Sequence, residues 1–180
     1  MTDKTSQETQ TVDENKRRVH RLLTRGAGLL GEGKAQDAIP PLERAYEIDP
    51  ASVPVLINLG GAYVMAGRHK EAIPLMEAAR EAEPDNAMVW MNLGAAYLGN
   101  PILATEEQQM QAISAFEEVL RLQPNAPSVH YNLGLIFVDR GERDLAIAAF
   151  RQACQANPQD RDAMLWLQKL ESGEEMSEDG

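Results

Sequence analysis

The chain has 180 residues, 43% of them apolar, enough for one ordinary domain or for a short array of repeats whose core grows in one dimension. Its net charge of −11 sits mostly at the ends: residues 1–16 carry two basic and four acidic side chains, and residues 171–180 carry five acidic and none basic. The body is left near −4, a balance that disfavours nucleic acid and other polyanions, which need a dense Lys/Arg field.

Residues 1–12 are polar and cannot recover their ordering entropy by burial, so a disordered tail is expected there. Asp13 is the expected N-cap of a first helix carrying Leu22, Leu23, Leu29 and Leu30 and stopping at Gly31 and Gly33. Lys16, Arg17, Arg18, Arg21 and Arg25 crowd this helix. They read chiefly as the solvated face of a terminal helix, with a site for an anion or an acidic partner as the sharper alternative. From Ala38 a second helix carries Ile39, Leu42, Ala45, Tyr46 and Ile48 at helical spacing and ends before Pro50, with Pro40 and Pro41 expected in its first turn.

This unit then repeats. Val55-Leu56-Ile57-Asn58-Leu59-Gly60-Gly61-Ala62-Tyr63 returns as Val89 to Tyr97 and again as Val129 to Phe137, and the closing prolines Pro50, Pro84, Pro124 and Pro158 are 34, 40 and 34 residues apart. Each second helix offers a small, a large and a small residue: Ala72, Met76, Ala79; Ala112, Phe116, Val119; Ala146, Phe150, Ala153. Small residues let two helices approach and the large one fills the space beside them. One such hairpin cannot bury its own faces, whereas stacking several builds a continuous core.

These residues resemble the tetratricopeptide repeat (TPR) family. The match runs through Leu56/Leu59/Gly60/Tyr63/Ala72/Ala79/Pro84, Trp90/Leu93/Gly94/Tyr97/Ala112/Pro124 and Leu133/Gly134/Phe137/Ala146/Phe150/Ala153/Pro158. A weaker first copy has Leu22, Gly26, Leu29, Ala38, Leu42, Ala45 and Pro50, with Arg25 where an apolar residue is usual. The resemblance implies an all-α fold, a right-handed solenoid of antiparallel helix pairs. Its expected segments are a tail 1–12, repeats 13–50, 51–84, 85–124 and 125–158, a capping helix 159–171 covering the last pair through Met164, Leu167 and Leu170, and an acidic disordered tail 172–180. The third repeat holds six extra residues within 99–110. There Gly99-Asn100-Pro101 should end a helix, Thr105 with Gln108 reads as a capping box for an early-starting second helix, and Ile102 and Leu103 either sit in a longer surface turn or dock on a partner.

Setting the core residues aside leaves a second stripe on each first helix at i, i+3, i+7, i+10. It reads His20, Leu23, Ala27, Leu30; Pro54, Ile57, Gly61, Val64; Met88, Met91, Ala95, Leu98; and Ser128, Tyr131, Leu135, Val138. In the TPR family these helices line a concave groove that receives ligands, so the resemblance implies an apolar groove lined by Leu23, Ile57, Val64, Met65, Met88, Met91, Leu98, Tyr131, Leu135 and Val138. The competing reading is that neighbouring first helices cover one another's stripe. Asn58, Asn92 and Asn132 recur beside it and could grip the backbone of an extended peptide, or merely bond to an adjacent helix. The carboxylate clamp of chaperone-tail-binding TPRs needs Lys and Arg where this chain has Leu23, Ala27, Asn58, Met88 and Asn92, so binding of acidic chaperone tails is not expected.

Other chemistry is sparse. His20, His69 and His130 fall on different repeats without a second metal ligand nearby in sequence. The single cysteine, Cys154, excludes an intramolecular disulfide and reads as a small core hydrophobe. Glu106-Glu107 and Glu117-Glu118 are adjacent pairs that diverge around a helix and do not form an acid/base couple. No apolar run approaches the roughly 18–20 residues of a membrane span and no secretory leader is evident. The sequence therefore points to a cytoplasmic, non-enzymatic protein-binding module without metal or cofactor. Its ligand would be an apolar amphipathic helix or, second, an extended peptide, held by a monomer or weak homo-oligomer. The alternative is a self-assembling structural subunit whose groove is filled by another copy or by its own tail.

Overall fold

The structure, a computed structural model, describes residues 2–99 and 103–172. Among the described residues there are nine helices and no strand. They are α1 (Thr2–Gly31), α2 (Ala35–Ile48), α3 (Val53–Met65), α4 (His69–Ala82), α5 (Ala87–Leu98), α6 (Glu106–Leu122), α7 (Pro127–Asp139), α8 (Arg143–Ala156) and α9 (Arg161–Ser172). The chain forms two compact units, Met1–Ala96 and Tyr97–Gly180, with the boundary near the end of α5.

The turn chemistry explains the helix pairs. Gly33, Gly67 and Gly141 all have φ between 70° and 74°, the left-handed conformation that an L side chain resists. At each, two hydrogen bonds close the helix in the Schellman pattern: Gly67 N–H to Val64 O and Arg68 N–H to Tyr63 O, repeated at Leu30/Leu29 and at Val138/Phe137. A turn this short forces the next helix back along the first, which makes α1/α2, α3/α4 and α7/α8 antiparallel pairs in contact. The second helices end alike. Asp49, Glu83, Gln123 and Asn157 each donate their N–H to a carbonyl four residues back and leave the helical region, with ψ between 72° and 91°, since the proline that follows disfavours a helical residue before it.

In the first unit, α1 packs on α2 and α3, and α2 on α3. Leu42, Ala38 and Ala45 are fully buried, as are Ala72, Met76 and Ala79. Gly26 admits Leu42 and Gly60 admits Met76 where a Cβ would collide. A polar strut ties three helices together: the Tyr63 hydroxyl donates to Glu43 Oε1 at 2.7 Å, Arg68 lies 4.4 Å above the Tyr63 ring, and Arg68 Nε donates to Glu71 at 3.0 Å. Burial, and then the hydrogen bond to Glu43, push the Tyr63 hydroxyl from its usual 10 to about 12. Because the folded value is the higher one, this stabilisation is complete below pH 10 and is lost as pH rises toward 12. Wild type should therefore lose stability between pH 10 and 12 more steeply than Tyr63→Phe, which urea unfolding at pH 8, 10 and 11.5 checks.

In the second unit α6 packs on α7, α7 on α8 and α8 on α9. Phe116 and Phe150 are fully buried. Phe150 sits edge-on to Tyr131 (centroids 5.7 Å) and stacks on Trp166 of α9 (5.8 Å). Guanidinium contacts fasten α9 to α8: Arg143 donates to the Leu170 carbonyl, its Nε at 3.0 Å, and Arg151 pairs with Glu171 at 2.6 Å. The expected capping box is present, with Gln108 N–H donating to Thr105 Oγ1 (3.3 Å) and Thr105 N–H donating to Gln108 Oε1 (2.9 Å). With it, α6 runs 17 residues against 14 for α2, α4 and α8. Thr105→Ala should cost about 1 kcal/mol of stability, read as a lower urea midpoint at unchanged slope.

Several expectations need correction. The helix expected to begin at Asp13 begins at Thr2, so residues 2–12 are helical instead of a disordered tail. Elongating a helix already nucleated by packing needs only fair propensity, which Gln, Glu and Lys supply. Helix α2 starts at Ala35, so Pro40 and Pro41 stand inside it and not in its first turn. Their missing N–H groups leave the carbonyls of Gln36 and Asp37, both exposed residues, without that helical partner. On α9, Met164 is 43% exposed, and Trp166 with Leu167 and Leu170 faces the core around Ala163. Ile102, expected with Leu103 either in a longer surface turn or docked on a partner, and residues 173–180, most of the acidic tail, lie outside the described residues; Leu103 is exposed.

Candidate functional site

The charge pattern of the helices singles out one face of the first unit. Helix α2 carries Asp37, Glu43, Arg44 and Glu47, and α4 carries Lys70, Glu71, Glu77, Arg80 and Glu81, whereas α3 and α5 contain no Asp, Glu, Lys or Arg at all. Two helices without a charge would be expected to be buried all round. They are not. Met65 is 57% and Met88 60% exposed, and Val64, Met91 and Ala95 are half-buried.

The other groove residues of this unit are placed differently. Ile57 is buried, 9% exposed, and has too little free surface to meet a ligand. Leu23 is half-buried against the cluster of Val19, Ala45 and Val55. Asn58 is half-buried and its Nδ2 donates to the Pro54 carbonyl of its own helix at 2.8 Å, a partner that the sequence did not suggest. Asn92 is half-buried, and its Nδ2 lies 3.5 Å from where a Cβ on Gly61 would stand, an ordinary contact distance that puts this side chain beside α3. The start of α5 is pinned by Trp90, whose Nε1 donates to the Pro84 carbonyl at 2.6 Å beneath the Arg80 guanidinium, 5.7 Å away.

In the second unit the stripe is mostly half-buried. Leu98 is buried at 6%. Tyr131, Leu135 and Val138 pack against Ala146, Phe150, Ala153 and Ala163 together with Trp166, Leu167 and Leu170. Helix α9 packs over this last pair, and all three side chains remain half-buried, as Val64 and Met91 do in the first unit. Asn132 is half-buried. His130 takes the place of Trp90, its Nε2 lying 3.2 Å from the Pro124 carbonyl, which accounts for that histidine structurally. Cys154 is half-buried beside the same core, and burial, then the Asp160 charge, push its thiol up. A shallow pocket of about 440 Å³ between α7 and α8 is lined by Leu133, Phe137, Leu145 and Ala149. Among the described residues no group of three His, Cys, Asp or Glu side chains could hold a metal, and no helix is long and apolar enough to cross a membrane.

Comparison with known proteins agrees with this architecture. A thermophilic TPR protein of Thermus thermophilus, TTC0263, superposes with TM-score 0.70 at 24% identity, over 86% of this chain and 82% of that one. A structure titled MamA 41-end from Desulfovibrio magneticus RS-1 gives 0.68 at 23% identity, over 79% and 77%. One titled MamA AMB-1 gives 0.63 at 29%, over 77% and 78%. None of the curated proteins matches the chain. A family profile described as tetratricopeptide repeat matches residues 29–96, and a second of the same description matches residues 107–161. With more than half of its length matched and the helix pairs, Schellman turns and closing prolines in place, the chain belongs to the tetratricopeptide repeat family, whose members serve as protein–protein interaction modules.

Proposed function

We propose that this protein binds an apolar segment of a partner on the first-helix face of its first unit, as an adaptor or chaperone-like module. The observation that carries this reading is the absence of charge on α3 and α5 combined with the exposure of Met65 and Met88. Exposed apolar surface of this kind marks interaction sites, and methionine adapts its shape to several related ligands. Val64, Met65, Met88 and Met91 are the contact residues, with Asn92 beside them and Leu23 at the edge. Burying such a side chain fully is worth roughly 1.5–3 kcal/mol, against an association cost of about 4–15 kcal/mol. The affinity expected from these side chains is micromolar or weaker.

The Asn58 hydrogen bond bears on the form of the ligand. With one Nδ2 hydrogen donated to Pro54, the second hydrogen and the amide oxygen remain, but the side chain is held against its own helix. An amphipathic helix laid on the apolar face is the preferred ligand, with an extended peptide second.

The test is capture of partners from the native cell by wild type and by Met65→Glu/Met88→Glu. Both side chains are exposed, so the variant should keep its helical circular dichroism. Partners lost only in the variant support the reading, and an unchanged set contradicts it.

A further inference from the structure

Resting on that reading, the charge distribution of the first unit points to the class of partner: we infer that the segment bound is an acidic amphipathic helix, with its apolar face on α3 and α5 and its carboxylates turned toward α1. Lys16, Arg17, Arg18, Arg21 and Arg25 are all exposed on α1, and none of them makes an ion pair among the described residues. Residues 15–30 contain no acidic side chain. Lys16 falls on one helical face with His20, Leu23, Ala27 and Leu30, at steps of four, three, four and three residues, and Arg17 stands next to it.

Helix α1 lies against α3, with Leu23 packed on the cluster that contains Val55. The uncharged face is therefore bordered at one end of α1 by Lys16, with Arg17 beside it, whereas Arg18, Arg21 and Arg25 fall on other faces of that helix and α3 and α5 themselves offer no charge of either sign. Asp13 and Glu14 lie one turn upstream of Lys16 and Arg17 on the same helix and reduce the positive charge at that end. Charges placed at such a rim govern the choice and speed of association more than its depth. A carboxylate flank would find partners there. A lysine flank would meet like charge.

The probe is a labelled synthetic helix with leucines at i, i+3, i+4 and i+7 and glutamates along both flanks, and a matched helix with lysines in place of the glutamates. Fluorescence anisotropy at low salt should show the glutamate helix binding wild type about tenfold more tightly, the yield of two or three exposed ion pairs. That ratio should shrink toward one in molar salt, where the screening length falls to about 3 Å. Lys16→Glu/Arg17→Glu should reverse the preference while leaving the fold intact, and Met88→Glu should weaken both peptides. If both peptides bind wild type alike and both are weakened in Met88→Glu, the apolar docking stands and the acidic partner is overturned. If a preference exists but survives Lys16→Glu/Arg17→Glu and high salt, the role given to α1 is overturned. If neither peptide binds, the docking face fails and this inference fails with it.

Discussion

Phe150→Ala is expected to lower the free energy of unfolding by about 3–5 kcal/mol, the largest effect of any single truncation in the second unit. Its ring is fully buried, lies over Gly134, meets Tyr131 edge-on and stacks on Trp166 within 2° of parallel. Removing it leaves a cavity and also forfeits two aromatic pairs, each worth about 0.5–1.5 kcal/mol beyond area burial. Stability in repeat proteins is a sum over units and their nearest-neighbour interfaces, and Phe150 belongs to two such interfaces at once, α7/α8 and α8/α9. The loss should therefore appear as a lower urea midpoint accompanied by early proteolysis of α9, whose stacking platform is gone. Loss of midpoint with α9 still protected would show that Arg143 and Arg151 hold α9 without the ring.

Gly134→Ala is expected to cost more than Gly60→Ala, although both glycines occupy the same place in their repeats. A Cβ at Gly134 would lie 2.7 to 2.9 Å from three atoms of the Phe150 ring. That ring is rigid and held on its other side by Trp166, so helix α7 must move, at a cost of about 1–3 kcal/mol. At Gly60 the collision is with the terminal methyl of Met76, a flexible chain that can turn away. The higher helix propensity of alanine, up to about 1 kcal/mol, offsets part of the cost at both sites and leaves Gly60→Ala close to neutral. Equal midpoints for the two variants in urea unfolding would contradict this packing argument.

What could be read from the sequence was whatever repeats. The Schellman glycines, the closing prolines and the small-large-small second helices each recur three or four times, so one physical rule is tested several times within one chain. The capping box at Thr105 occurs once, yet it was legible because its chemistry is local: two side chains and two N–H groups within four residues.

What was not legible depends on distant neighbours. Ile57 and Met88 are both apolar stripe positions, yet one is 9% and the other 60% exposed; spacing along one helix does not say which neighbouring helix leans over it. Trp166 was missed because Met164, Leu167 and Leu170 make an acceptable stripe, whereas the core-facing one is the buried Ala163 with the half-buried Trp166, Leu167 and Leu170. At that helix a small alanine marks the contact more faithfully than a large methionine does. The Asn58 bond to Pro54 lies four residues away in sequence, but the same asparagine recurs beside different first residues in each repeat, and recurrence suggested a shared ligand role instead.

The absence of charge on α3 and α5 was present in the letters all along. It gained meaning only once Met65 and Met88 were found at the surface, because an uncharged helix in a core is ordinary and an uncharged helix facing water is not. Methionines also mark the rest of the surface: Met110 and Met164 are exposed elsewhere, and Met76 is fully buried. The most direct test is therefore an NMR titration of the protein carrying labelled methionine methyl groups with the amphipathic peptide. The account expects the Met65, Met88 and Met91 signals to shift together while those of Met76, Met110 and Met164 stay in place. Shifts confined to Met110 or Met164, or binding that leaves Met65 and Met88 unmoved, would put recognition on another surface and contradict it.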